Sequence, residues 1–283
     1  MAKPRCNMRE AALVWLVLLS GLAITPTAFA QQEVGQRKID DNTKKAIVDS
    51  ICIVIDTVYV FPDIAGQMQE HIRSQLDNGA YDDIDVLVEF TDKLTEDLRS
   101  ICHDLHLNVL PASPAQFEQP DSAARQQQQE AFLKRARRDN FGFRKLERLA
   151  GNVGYLRFDQ FTDASIAGHK AVAAMKFLSD CDAIIFDLRH NGGGSPSMIQ
   201  LISSYLFEEP VHLNSFYIRA LDSIRQFWTQ AFVDGERMPD VPVYVLTSNY
   251  TFSGAEEFTY NLKNLERATI VGETTGGGAH PVE

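Results

Sequence analysis

Two short stretches hold residue types that could do chemistry. The first, residues 247–256, reads Thr-Ser-Asn-Tyr-Thr-Phe-Ser-Gly-Ala-Glu. Its Ser253 stands at the predicted start of a helix with small residues just after it. A serine hydroxyl is exposed there, and the helix dipole and unused N–H groups favour an anionic intermediate. A plain N-cap accounts for the same serine. The Gly-x-Ser-x-Gly elbow is absent, because Thr251 and Ala255 hold its glycine positions. The second stretch is His190-Asn191-Gly192-Gly193-Gly194-Ser195. Three successive glycines remove every side chain and let backbone N–H groups approach a ligand. An oxyanion hole, a phosphate cradle or a tight turn could each use them, but neither Gly-x-Gly-x-x-Gly nor a Walker lysine is present.

These loops need rigid elements on either side, and the pattern around them supplies alternating strands and helices. After Gly151, "NVGYLRF" reads as a strand, "SIAGHKAVAAMKFLSD" as a helix with Ile166, Val172, Met175, Phe177 and Leu178 inward, and "DAIIFDLR" as a buried strand. "SPSMIQLISSYLF" follows as a helix capped by Ser195 with Pro196 at its first position. "VPVYVLTS", "SGAEEFTYNLKNL" and "ATIVGE" complete a strand–helix–strand. Both chemical loops fall between a strand end and a helix start, where open α/β sheets place ligands. Glu256 and Glu257 complement the helix N-terminus, and Asp187 and Arg189 are expected to form an internal ion pair.

From Thr43 to about His106 the pattern is helical. Ile47, Ile51, Val54, Ile55 and Val58 share one face. Pro62 opens a second helix with Ile64, Met68, Ile72 and Leu76, and a third carries Leu87, Phe90, Leu94, Leu98 and Ile101. Residues 111–130, with three prolines and "QQQQE", read as an exposed connector, followed by a polar helix through "AFLKRARR" whose basic run is a solvated face.

Composition bounds the rest. The chain has 283 residues, 45% hydrophobic and 23% charged, which excludes disordered, collagenous and disulfide-scaffold classes. A net charge of −11 argues against a nucleic-acid partner. Residues 1–30 pair a basic start (Lys3, Arg5, Arg9) with an apolar run and the small-residue site Ala28-Phe29-Ala30. That order predicts a signal peptide cleaved after Ala30, export to the periplasm or beyond, and no membrane span afterwards. Cys52 and Cys102 lie in predicted helices of one domain and could be a disulfide or two buried thiols. His103 and His106 are three residues apart, but no third metal ligand is near, so no metal or other cofactor is expected.

"DLRHNGGG", "YVLTSNYTFSGAEEF" and "TIVGETTGGG", in that order, resemble the carboxy-terminal processing (tail-specific) serine peptidases. The branch is the one without a PDZ domain, similar to interphotoreceptor retinoid-binding protein modules, and "VYVFPDIAGQM" and "HDLHLNV" resemble its helical domain. The resemblance implies an α/β fold: a ClpP/crotonase-like core at 151–283 behind an N-terminal helical bundle at 31–110, joined by a connector at 111–150. It implies Ser253 as nucleophile and the N–H groups of Gly193 and Gly254 as oxyanion hole. The lysine many members use as base is replaced by Gly278. By similarity to branches with a Ser–His–Glu triad, His106 is the candidate base and His280 the second. The glutamate would fall past Glu283, so the chain is expected to be C-terminally incomplete. The function implied is an exported serine-type endopeptidase acting through an acyl-enzyme on peptide or protein substrates. The alternative is a non-catalytic module binding retinoid, fatty acid or peptide tails, to which the aromatic-rich segment 216–232 would contribute; oligomeric state is not legible.

Overall fold

The structure is a computed structural model describing residues 14–18, 35–112 and 122–279. It divides into two compact units, the first reaching Gln126 and the second running from Gln127 to Pro281.

Among the described residues, the first unit is built on helices α1 (Asp41–Val58), α2 (Pro62–Asp77) and α3 (Leu87–Cys102). Asp40 caps α1 through its carboxylate to Thr43 N–H. Their apolar stripes meet in a core of Ile47, Ile51, Ile55, Met68, Ile72, Phe90, Leu94 and Leu98, all essentially inaccessible. Val54 and Val58, expected on the inner face of α1, point outward; Val48 and Cys52 take the inner positions instead. His103 ends α3 in a left-handed conformation (φ 54°). Strand β2 (Leu107–Pro111) follows, paired antiparallel with β1 (Val14–Leu18), which lies inside the expected leader. Cys52 and Cys102 are free thiols, and Cys102 Sγ lies 3.7 Å from Met68 Sδ.

Within the expected connector, residues 122–149 form regular structure, including the polar helix expected through "AFLKRARR". The glutamine tract is helical within α4 (Ser122–Arg138), because glutamine and arginine are good helix formers and nothing in the tract breaks the helix. Then β3 (Phe143–Leu149) joins the sheet. The second unit is built on five strands in the order β3, β4 (Val153–Phe158), β5 (Ala183–Asp187), β8 (Val243–Thr247) and β9 (Thr269–Gly272), with β3 antiparallel and the others parallel. Helices α5 (Ala164–Leu178), α6 (Pro196–Ser204) and α7 (Gly254–Asn264) fill the crossovers. Right-handed connections stepping one way along a sheet put all three on one face, and α5 meets α6 and α6 meets α7 as that requires. Phe177 lies outside this arrangement, on the exposed side of α5. The segment 216–232 forms a ribbon of β6 (His212–Ile218) and β7 (Ser223–Trp228) between α6 and β8, a strand pair that alternation alone did not reveal. Among the described residues no helix is long and apolar enough to cross a membrane.

A chain of aromatic rings ties α7 to the sheet. Phe258 packs on Phe161 (5.4 Å between ring centres) and edge-on against Phe186 (5.5 Å), and Phe161 in turn meets Phe158 at 4.8 Å. All four side chains are fully buried. Removing the ring at the hub leaves a cavity the backbone cannot close, so Phe258→Ala is expected to cost about 3–5 kcal/mol in urea unfolding; a loss near zero would show that α7 is not held this way.

Candidate active site

Strands β5 and β8 end side by side, and the loops leaving them are locked together. Asn191, fully buried, donates to Phe158 O (2.9 Å), and its own carbonyl accepts from Phe252 N–H (3.1 Å). Thr251 Oγ1 donates to Leu188 O and Ser248 Oγ to Arg189 O. On the other side Phe161 N–H donates to Gly193 O and Ser195 N–H to Phe161 O. Asp163, cap of α5, also accepts from Ser195 and Ser197 Oγ, each at 2.8 Å. Hydrogen bonds led by that from Ser165 outweigh burial and hold its carboxyl at about 2.

The glycines are there because the backbones touch. A Cβ on Gly193 (φ 106°) would stand 2.7 Å from Gly254 N and 2.8 Å from Ser253 Cβ; one on Gly194 (φ 137°) would stand 2.3 Å from Phe161 O. Neither position admits another residue. Ser253 itself is half-buried at the N-cap of α7 with φ 52° and ψ −123°, a conformation that costs a non-glycine residue about 1–3 kcal/mol. The structure therefore places Ser253, Gly254 and Gly193 in one contact.

Gly193 differs from expectation in one respect. Its N–H donates to Asn191 Oδ1 at 2.8 Å and is not open to a ligand. The side chain of Asn191 folds back two residues along the chain to satisfy it, a local bond typical of asparagine in turns. The next amide, Gly194 N–H, has no partner among the described residues, and Gly194 N would lie 2.9 Å from a Cβ at Gly254.

Glu256, whose part in the site was not foreseen, organises the other wall. Its buried carboxylate accepts from Ser253 N–H (2.9 Å), Gly278 N–H (2.7 Å) and Gly277 N–H (2.7 Å). It thereby bonds the serine's backbone to the loop holding Gly277 and Gly278. Ser-Gly-Ala-Glu fits the capping-box spacing, so this bond was open to discovery in the sequence; its reach to Gly277 and Gly278 was not. The next residue, Glu257, accepts from Asn214 Nδ2 at 2.8 Å on β6, in a polar pocket where Asn214 Oδ1 and Asn261 Nδ2 find no partner among the described residues. Burial pushes its carboxyl up to about 7 despite those amides. Asp187 behaves oppositely. Burial alone would raise it, but a two-pronged bond from Arg189 and one from Tyr155 hold it at about 2. The expected ion pair is formed.

His106 lies in the first unit, fully buried. Its Nδ1 is 2.9 Å from Asp104 Oδ1, which also accepts the His106 N–H, and Asp104 Oδ2 accepts from Tyr59 O–H at 3.2 Å. A carboxylate only accepts, so Nδ1 carries the hydrogen and Nε2 is the basic nitrogen. Asp104 is a second residue the sequence reading passed over. His103 takes no part, its Nδ1 lying 2.9 Å from Arg99 O. His280 lies outside the described residues. In segment 216–232, Phe216 and Phe227 pack on each other at 4.8 Å, while Phe232 is 79% exposed. Ribbon packing occupies Phe216 and Phe227, while Tyr217 and Trp228 are exposed as well.

The model of peptidase family S41 matches residues 152–280, and the model of the N-terminal domain of S41 peptidases in eukaryotic IRBP matches 41–139. The chain belongs to peptidase family S41. It is similar to a carboxyl-terminal-processing protease of Synechocystis, 34% identical over 131 residues, a match covering 44% of this chain and 28% of that one. Among solved structures, a Parabacteroides merdae protein assigned as a peptidase is 19% identical with a TM-score of 0.54, covering 85% of this chain and 77% of that one. The photosystem II D1 C-terminal processing protease is 24% identical with a TM-score of 0.37, covering 44% of this chain and 31% of its own. The chain thus spans under a third of the curated relative it matches. The family and the fold, an α/β core with an N-terminal helical domain, agree with the sequence reading.

Two outcomes follow for the carboxylates. Glu256→Ala leaves three N–H groups without their charged acceptor, and is expected to lower stability by roughly 2–3 kcal/mol in urea unfolding and to slow any reaction at Ser253 by tenfold or more. Glu256→Gln, whose amide suits only some of those donors, should fall between it and wild type. For Glu257 the folded pKa of about 7 exceeds the ordinary 4.5, so the folded state binds more protons between those values. Stability is full below about 4.5 and falls by roughly 3 kcal/mol as pH rises through 7. Glu257→Gln should flatten Tm against pH over about pH 5–8 and be the more stable at the upper end; equal slopes would contradict the raised value.

Proposed function

We propose that this S41 chain is an exported serine peptidase that cleaves protein or peptide substrates through an acyl-enzyme on Ser253. The observation that carries the reading is the contact of Ser253, strained at a helix start, with a glycine loop that tolerates no side chain. Strain of this kind persists where surrounding bonds over-determine it, and it marks sites of function.

In this reading Ser253 Oγ attacks the substrate carbonyl, and His106 Nε2 takes its proton. Asp104 acts as a positioning residue, fixing the imidazole tautomer through Nδ1 and stabilising the imidazolium. Negative charge developing on the carbonyl oxygen falls at the N-terminus of α7, where Gly254 N–H is one donor. Because Gly193 N–H is committed to Asn191, Gly194 N–H is the second; Gly193 contributes the missing Cβ that permits the approach. His106 then protonates the leaving amine, and water releases the acyl group. Export is supported by the basic–apolar–small order of residues 1–30. Similarity to the Synechocystis carboxyl-terminal-processing protease supports that activity as the specific form.

A fluorophosphonate reports the nucleophile without a known substrate. Wild type is expected to be labelled, Ser253→Ala to remain unlabelled, and His106→Ala to react at least about 100-fold more slowly, the usual worth of a general base. Asp104→Asn should fall between. Equal labelling of Ser253→Ala would dismiss the serine, and an undiminished rate in His106→Ala would dismiss the base.

A further inference from the structure

Helix α4 buries none of its side chains fully, and it stands off the second unit's core enough to leave a cleft of about 610 Å³ against α5. That volume falls within the roughly 300–1,000 Å³ of ligand sites. One wall is the face of α4 bearing Leu133 and Arg137; the other is the face of α5 bearing Ile166, His169 and Lys170, with Phe141 between them. The α4 face runs two helical turns from Gln129 to Arg137, about 12 Å. An extended peptide covers that length in three or four residues at about 3.3 Å each.

The charge of the cleft runs against the charge of the molecule. Carboxylates outnumber Lys and Arg by 38 to 27 over the chain. No Asp or Glu lines the cleft, and neither Arg137 nor Lys170 forms an ion pair among the described residues. Asp163, the carboxylate nearest to the α5 wall in sequence, is committed to the hydroxyls of Ser165, Ser195 and Ser197. The apolar part, Leu133, Phe141 and Ile166, suits one or two apolar side chains and is too short for a lipid tail. The cleft also shares its support with the glycine loop. Thr162 Oγ1 donates to Phe141 O at 3.0 Å, and the preceding residue, Phe161, is the one bonded to Gly193 and Ser195.

We propose that the α4–α5 cleft is an exosite for a short acidic segment of the protein substrate, its carboxylates set against Arg137 and Lys170 and a neighbouring apolar side chain against Leu133, Phe141 and Ile166. The proposal rests on the peptidase reading above, and its test is kept separate by measuring binding in Ser253→Ala, which needs no turnover. A fluorescent peptide alternating leucine and glutamate should bind Ser253→Ala at least about tenfold more tightly than its leucine–glutamine counterpart, with affinity falling as salt rises. The added double substitution Arg137→Glu/Lys170→Glu should remove that preference. In the Ser253 background the same double variant should keep its fluorophosphonate labelling rate, which shows that it folds. Equal affinity for the neutral peptide, an unchanged preference in the double variant, or displacement of the peptide by decanoate at equal concentration would overturn the proposal. Loss of labelling in wild type with the preference retained would overturn the peptidase reading and leave the acidic-segment site standing as a binding site.

Discussion

Everything at this site depends on two backbones meeting where no side chain fits. Gly193 and Gly194, leaving β5, lie against Phe252, Ser253 and Gly254, leaving β8, at separations a single added carbon would abolish. The parallel sheet brings the two strand ends together, but the sheet alone leaves roughly one strand spacing between their loops. Asn191 closes that distance, binding β4 through its side chain and the serine loop through its carbonyl. Strain at Ser253 accompanies this: its φ of 52° is held between the bond from Phe252 N–H to Asn191 O and the bond from its own N–H to Glu256.

Three acidic groups in this unit show how burial and donors compete. Asp187 and Glu257 are both buried, and the difference is chiefly one cation, aided by the Tyr155 hydroxyl. Arg189 supplies two charge-assisted bonds to Asp187, and its carboxyl stays at about 2. Glu257 has only amide dipoles, too weak to offset desolvation, and is lifted to about 7. Glu256 accepts from three backbone N–H groups, which makes it a structural clamp on the serine and on the Gly277–Gly278 segment.

Much of this was legible in the sequence, for identifiable reasons. Helices and parallel strands of the core carry strong periodicity, with a Ser195–Pro196 start signal for α6, so their order and type read correctly. Segments with weak periodicity did not. The QQQQE tract has helix-forming residues but no apolar stripe, and β3, β6 and β7 are partly exposed strands whose identity comes from pairing, a non-local fact. At the site, Ser253, Gly193 and Gly254 could be named from residue type and resemblance, whereas the capture of Gly193 N–H by Asn191 depends on a side-chain rotamer that spacing does not encode. Asp104 was not legible for a plainer reason: its bond to the imidazole depends on a tight turn that folds the carboxylate back over His106 two residues on.

The measurement closest to the central idea is acid-quenched trapping on an activated ester, followed by peptide mapping of the intact chain. If Ser253 is the hydroxyl activated by this arrangement, one acyl group will be found on the peptide containing Ser253, and its yield will collapse when Gly193 is replaced by alanine in a chain that still unfolds cooperatively. Acylation on another residue, or undiminished acylation of Ser253 with a side chain at 193, would contradict it.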